Sequence, residues 1–136
     1  MSVLFISDSQ DELEPPSPSV VSERGAKIPT TQGSYCWEGS TSAQCVDKVY
    51  ANPLEMAEQH KPTKVSPNEE IKITFEKEPI DGSLTVEKWV DENRNKEIEL
   101  ENDALVAPKE KGVHYYYVKA NWEKGDGNYA FSIEVK

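Results

Sequence analysis

The stretch Val113-His114-Tyr115-Tyr116-Tyr117-Val118-Lys119-Ala120-Asn121-Trp122, with Tyr129-Ala130-Phe131-Ser132-Ile133-Glu134-Val135-Lys136 after a polar break, decides the fold. In the second run Tyr129, Phe131, Ile133 and Val135 alternate with smaller or polar residues. That period of two belongs to a strand with one face in a core. In the first run both alternating sets are apolar: Val113, Tyr115 and Tyr117 on one face, His114, Tyr116, Val118, Ala120 and Trp122 on the other. A strand apolar on both faces is a central strand. The break from Glu123 to Asn128 carries two glycines and reads as the turn of an antiparallel hairpin.

Upstream, Ile71, Ile73 and Phe75 alternate with polar residues, a half-buried strand. Pro79-Ile80-Asp81-Gly82 is a turn, and Ser83 to Val90 is a further strand. Its alternation changes phase near Trp89, which signals a bulge, an edge position or a second buried face. Asp91 to Asn95 reads as a polar loop, Ile98 and Leu100 begin a short strand, and Leu105-Val106-Ala107 forms another. Gly33 to Trp37 is a first short strand, the Gly/Ser/Thr-rich stretch from Glu38 to Gln44 a loop, and Cys45 to Tyr50 extended again. Asn52-Pro53-Leu54-Glu55 is a helix start, with Asn as cap, Pro at the first position and Glu reaching back. The helix stops before Pro62. About seven or eight short strands separated by turn signals predict an immunoglobulin-like antiparallel β-sandwich with one short connecting helix.

A chain of 136 residues makes one domain with room for a tail. Residues 1–27 read as that tail: acidic from Asp8 to Glu12, then Pro15-Pro16-Ser17-Pro18, too poor in apolar surface to offset its conformational entropy. Val20-Val21 either pairs with a sheet edge or is exposed. Residues 28–136 are the sandwich domain.

The formal charge of −10 argues against nucleic acid and anionic lipid as partners. No apolar run is long enough to span a membrane as a helix. Val3-Leu4-Phe5-Ile6 is too short for a signal-peptide core. Either the protein is cytosolic, or an export signal has been removed.

Cys36 and Cys45 are the only cysteines, and their spacing is not that of a CxxC motif. Zinc would need His60 and His114 as further ligands, and these have no ligand spacing. Two readings of the pair stay open: a disulfide pinning the ends of the 38–44 loop, which requires an oxidising compartment, or two reduced thiols in a core. Asp91-Glu92-Asn93-Arg94-Asn95-Lys96-Glu97 places acids and amides at alternate positions, as a calcium loop does. It has Lys96 where the loop needs glycine and Asn102 where it needs a bidentate Glu. No metal or cofactor is therefore expected. Ser34, Cys36 and His114 sit in no nucleophile motif, and no phosphate-binding loop is present. The expectation is a non-enzyme.

Aromatic residues are the remaining lead. Most of Tyr35, Trp37, Trp89, Tyr115, Tyr116, Tyr117 and Trp122 belong to the core, and a minority would form a binding patch. Tyr116, Trp122 and His114 share one face of the central strand and are the candidates for that patch. In a tyrosine-corner reading, Tyr115 or Tyr117 hydrogen-bonds the turn between Pro108 and Gly112.

Gly33-Ser34-Tyr35-Cys36-Trp37, Cys45-Val46-Asp47 and Asn52-Pro53-Leu54-Glu55 also carry a resemblance. So does the ending Lys111-Gly112, Tyr117-Val118, Ala120-Asn121-Trp122-Glu123-Lys124-Gly125-Asp126 and Tyr129-Ala130-Phe131. Together they resemble uncharacterised exported proteins and lipoproteins of Gram-positive bacteria such as Bacillus, over residues 28–136. The resemblance implies an extracytoplasmic β domain, secreted or membrane-anchored, with the signal absent from this chain and the tail as its stalk. The functional expectation is a non-enzymatic interaction or accessory module with a protein or cell-envelope partner. The alternatives are an enzyme inhibitor presenting the 38–44 loop, or carbohydrate or cell-wall binding through exposed aromatics.

Overall fold

The computed structural model describes residues 14–39 and 42–136. Two sheets pack into an all-β sandwich. The small sheet has the order β1 (Ser19–Ser22), β6 (Glu70–Thr74), β9 (Ala104–Val106). The path of the large sheet is β4 (Ala43–Val46), β3 (Tyr35–Glu38), β11 (Gly125–Val135), β10 (Gly112–Trp122), β7 (Thr85–Asp91), β8 (Arg94–Ile98). All pairs are antiparallel except one. The free side of β11 is shared by three short strands in turn: Gly125 pairs β3, Tyr129–Ala130 pair β2 (Thr31–Gln32), and Ile133–Val135 pair β5 (Thr63–Val65) in parallel.

The deciding hairpin forms as its periodicity dictates. β10 lies between β11 and β7, and both its faces are used. Inward, Tyr116, Val118, Ala120 and Trp122 join Tyr129, Phe131, Ile133 and Val135. Across the sandwich they meet Val20, Ile71, Ile73 and Leu105 of the small sheet. A second aromatic layer, Tyr35, Trp37 and Trp122, continues this core, with the Trp37 and Trp122 rings 5.8 Å apart and near-perpendicular. Outward, helix α1 (Pro53–Ala57) covers Ala130 with Met56 and Ala57. Asn52 caps it as expected, its Oδ1 accepting from Glu55 N–H at 2.9 Å, while Glu55 reaches back one residue further than the cap, its Oε1 accepting from Ala51 N–H at 3.0 Å.

The hairpin turn is shorter than its composition implies. Trp122 pairs with Gly125, so only Glu123 and Lys124 turn, and Gly125 to Asn128 belong to β11. The glycines serve close approach instead. A Cβ on Gly125 would strike the Cys36 carbonyl, and one on Gly127 would press on the Tyr129 ring. The phase change in β7 is a register irregularity between Trp89 and Asp91. The polar loop after it is a tight turn into β8, where Arg94 Nε sits 2.7 Å from Asp91 Oδ2. The Asn93 N–H, and then that guanidinium, hold the Asp91 carboxyl below its ordinary value.

The folded unit begins earlier than Ile28. Of the expected tail, residues 1–13 lie outside the described residues. Residues 14–27 are part of the sandwich. Val20-Val21 pairs an edge: β1 runs antiparallel to β6, Val20 is buried, and Pro15 is fully buried. Composition misleads here because prolines pack well where no ladder hydrogen bond is asked of them.

Candidate functional site

Cys36 and Cys45 form a disulfide between directly opposed residues of β3 and β4. Gly39 N–H donates to Ser42 O at 2.8 Å, so 39 and 42 are a hydrogen-bonded pair and, by alternation, 36 and 45 are a non-bonded one. Two other bonds agree. The N–H groups of Cys36 and Glu38 turn away from β4, to Asp126 Oδ1 at 3.3 Å and Lys124 O at 2.7 Å. A non-bonded pair brings side chains closest, and the Cα atoms are 4.0 Å apart. The described part of the expected loop from Glu38 to Gln44 is therefore mostly ladder. Its tip, residues 40 and 41, lies outside the described residues. Gly/Ser/Thr composition points to a loop, but the register of β3 with β4 and the bridge across it make a hairpin ladder.

The same alternation fixes what β4 offers to solvent. At 43 and 45 the N–H and C=O groups point away from β3, and they have no hydrogen-bond partner among the described residues. All of Ala43, Gln44 and Cys45 is exposed and uncharged. The other edges are closed or charged. Beyond β1, Ser22 N–H donates to Ala26 O and Ile28 N–H to Val20 O. Glu101 and Ala104 exchange backbone bonds at the start of β9, which has three residues. β8 carries Arg94, Lys96 and Glu97, a standard protection against edge pairing.

The aromatic candidates are in the core, not on a surface. Tyr116 is 2% exposed and stacks on Phe131 at 5.3 Å, and burial pushes its phenol well up. Trp122 is 9% exposed, packs edge-on against Phe75, and donates from Nε1 to Lys77 O at 2.9 Å. His114, half-buried at the strand's start, has Nε2 2.9 Å from Glu110 O. It, and neither tyrosine, makes the tie to the turn after Pro108. The face of β10 that carries Tyr116 and Trp122 is the one turned into the sandwich, so these two do not form a surface patch. With both faces apolar, sequence did not say which one the second sheet covers.

The opposite face carries the half-buried aromatics Trp89, Tyr115 and Tyr117. Trp89 Nε1 donates to Glu87 Oε1 at 3.0 Å, and Lys119 lies 5.8 Å from the Tyr117 ring centroid. A recess of about 260 Å³ beside them is lined by Ser34, Tyr50, Asn52, Met56 and Tyr117. The Trp89 and Tyr117 rings are 6.5 Å apart at 80°, so they present an edge rather than a flat platform.

One buried carboxylate was not singled out from sequence. Glu69 is 6% exposed, and its Oε1 and Oε2 accept from Ser66 N–H at 2.8 Å and Arg24 N–H at 3.0 Å. Burial pushes its carboxyl up. The bonds from Ser66, Ser22 and Arg24, with the Arg24 charge, outweigh this and hold it below its ordinary value. Its signal was Ser66-Pro67-Asn68-Glu69, a Ser-x-x-Glu spacing with no helix after it. Among the described residues no group of three or more His, Cys, Asp or Glu could hold a metal, and no helix is long and apolar enough to cross a membrane. Comparison with protein-family models, with curated proteins and with solved structures found no match.

Proposed function

We propose that this protein is a non-enzymatic interaction module working outside the cytoplasm, secreted or membrane-anchored, that docks an extended segment of a partner protein on the open edge of β4. One observation carries the reading: the outward N–H and C=O groups of Ala43 and Cys45 have no partner among the described residues, on an uncharged edge. Such an edge is a template for strand addition, where main-chain bonds give affinity and side-chain pockets give selectivity. A bridge at 36–45 keeps the template in register, so a partner strand meets a preformed ladder and less ordering entropy is lost. Disulfides of this kind persist in oxidising compartments, which agrees with the resemblance to exported proteins.

A second reading uses the same hairpin. An enzyme inhibitor would present the 38–44 segment rather than the edge, and the bridge would stiffen it for that task. Sugar binding draws less support, because Trp89 and Tyr117 meet at a steep angle. The test is a photo-crosslinking residue placed at Gln44 on β4, and separately at Glu97 on β8, in cells of the source organism. Discrete adducts from position 44 alone support edge docking. No adduct at 44, or equal adducts from both, rejects it.

A further inference from the structure

The strand that carries the open edge is weakly anchored. Among the described residues the ladder partner of β4 is β3 alone. Ala43, Gln44 and Cys45 are all exposed, and the side-chain tie at this level is the Gln44 amide beside the Tyr35 hydroxyl. The far end of β4 is held better. Val46 packs against the layer of Tyr35, Trp37 and Trp122, and Lys48 N–H donates to Ser34 Oγ at 2.8 Å. By the alternation described above, the ladder bonds of β4 fall at 42, 44 and 46.

The disulfide is the remaining hold, and it lies open. Tyr35 and Trp37 point into the core, so Cys36 and Cys45 occupy the opposite face of the hairpin, and both are exposed. Thiol–disulfide exchange depends on access to a sulfur atom, and exposed bridges are the labile and regulatory ones. Release would also stay local. Without the bridge β3 keeps its place, because Tyr35 and Trp37 are buried and two backbone donors face β11. Glu38 N–H reaches Lys124 O at 2.7 Å, and Cys36 N–H reaches Asp126 Oδ1 at 3.3 Å. The arm at 42–45 is then free to leave, hinged at Val46.

We propose that Cys36–Cys45 is a redox latch on the edge of the large sheet, closed at rest in an oxidising compartment and opened by a protein dithiol of the CxxC class. A thiolate of the reductant attacks one sulfur of the bridge, forms a mixed disulfide, and the other cysteine leaves as a thiolate and takes a proton. The second thiol of the reductant displaces the remaining protein sulfur, which is protonated in turn, and closes the reductant's own disulfide. Two electrons and two protons have passed to the protein, and an oxidised partner of the same class reverses the step. Once open, the latch lets 42–45 peel from β3. The unpaired main-chain groups then move from Ala43 and Cys45, on an uncharged strand, to Tyr35 and Trp37, on a strand that ends in Glu38. The latch therefore decides which edge a partner meets. That consequence rests on the edge docking proposed above, whereas the latch itself does not, and the experiment reads the latch alone.

The full-length oxidised protein is treated with dithiothreitol at neutral pH, and reduction is followed by alkylation and intact mass, folded and in unfolding urea. The folded protein should be reduced within about tenfold of the unfolded rate, as an accessible bridge requires. Hydrogen exchange by mass spectrometry then reads the strand. Residues 42–46 should exchange about fifty- to hundredfold faster after reduction, the loop-closure value for a separation of 9 expressed as a ratio. Protection in β10 and β11 should be unchanged, and glutathione disulfide should restore slow exchange at 42–46. The double variant Cys36→Ser, Cys45→Ser should exchange fast there with or without reductant. Reduction of the folded protein only as fast as it unfolds globally overturns the proposal. So does unchanged exchange at 42–46 after reduction or in the double variant, or loss of protection in β10 and β11 on reduction.

Discussion

Glu69 ties two turns together through single oxygen atoms, one to Ser66 and one to Arg24. Glu69→Gln keeps the size but offers an amide NH₂ where one N–H needs an acceptor. The expected loss is about 1–3 kcal/mol in urea unfolding at pH 7. Because the folded carboxyl titrates below its unfolded value of 4.5, its contribution is present above that pH and is lost as pH falls through the folded value. The gap between native and Glu69→Gln stabilities should therefore narrow in acid, and a constant gap down to pH 2 would contradict this role. Tyrosines give the alkaline counterpart. Burial raises Tyr116 and Tyr129 well above 10, and Gln32 only partly offsets this at Tyr129. With folded values raised, stability is full below about pH 10 and declines above it. An ultraviolet titration should show these phenols ionising together with unfolding, after the exposed ones.

At the scale of single elements, the hairpins gave the clearest reading and the least secure boundaries. β10 and β11 were legible because period-two alternation persists over many residues, and helix α1 because its cap is local chemistry. The glycines of 125–128 were read as a turn because sequence cannot separate a glycine that needs a special φ from one crowded by a neighbouring strand. Gly125→Ala tests the distinction. A free turn would tolerate it, whereas contact with the Cys36 carbonyl predicts a loss of about 1–3 kcal/mol by thermal unfolding. Residues 38–44 were misread for the converse reason, since serine, threonine and glycine there do not preclude a ladder. Replacing both cysteines by serine should cost up to about 2.5 kcal/mol, the loop-entropy value for so short a closure. Hydrogen exchange should then quicken in β3 and β4 and stay slow in β10 and β11.

For the whole molecule, the two unequal sheets organise everything else. The large sheet needs its inner face covered by more than three strands, and it recruits a proline-rich segment that composition had assigned to a tail. Its outer face is partly covered by α1, which leaves Trp89, Tyr115 and Tyr117 half-buried. Sandwich architecture was readable because it depends on patterning. Which face of β10 would be exposed, and which edge left open, was not, because both depend on the packing of strands distant in sequence. The open edge of β4 and the bridge beside it now carry the functional account. Its most direct test is the redox state of Cys36 and Cys45 in protein taken from the source cells, trapped by alkylation and weighed intact without reductant. The account predicts a bridged pair that takes up no alkylating agent. Two alkylated thiols would contradict both the locked hairpin and a place outside the cytoplasm.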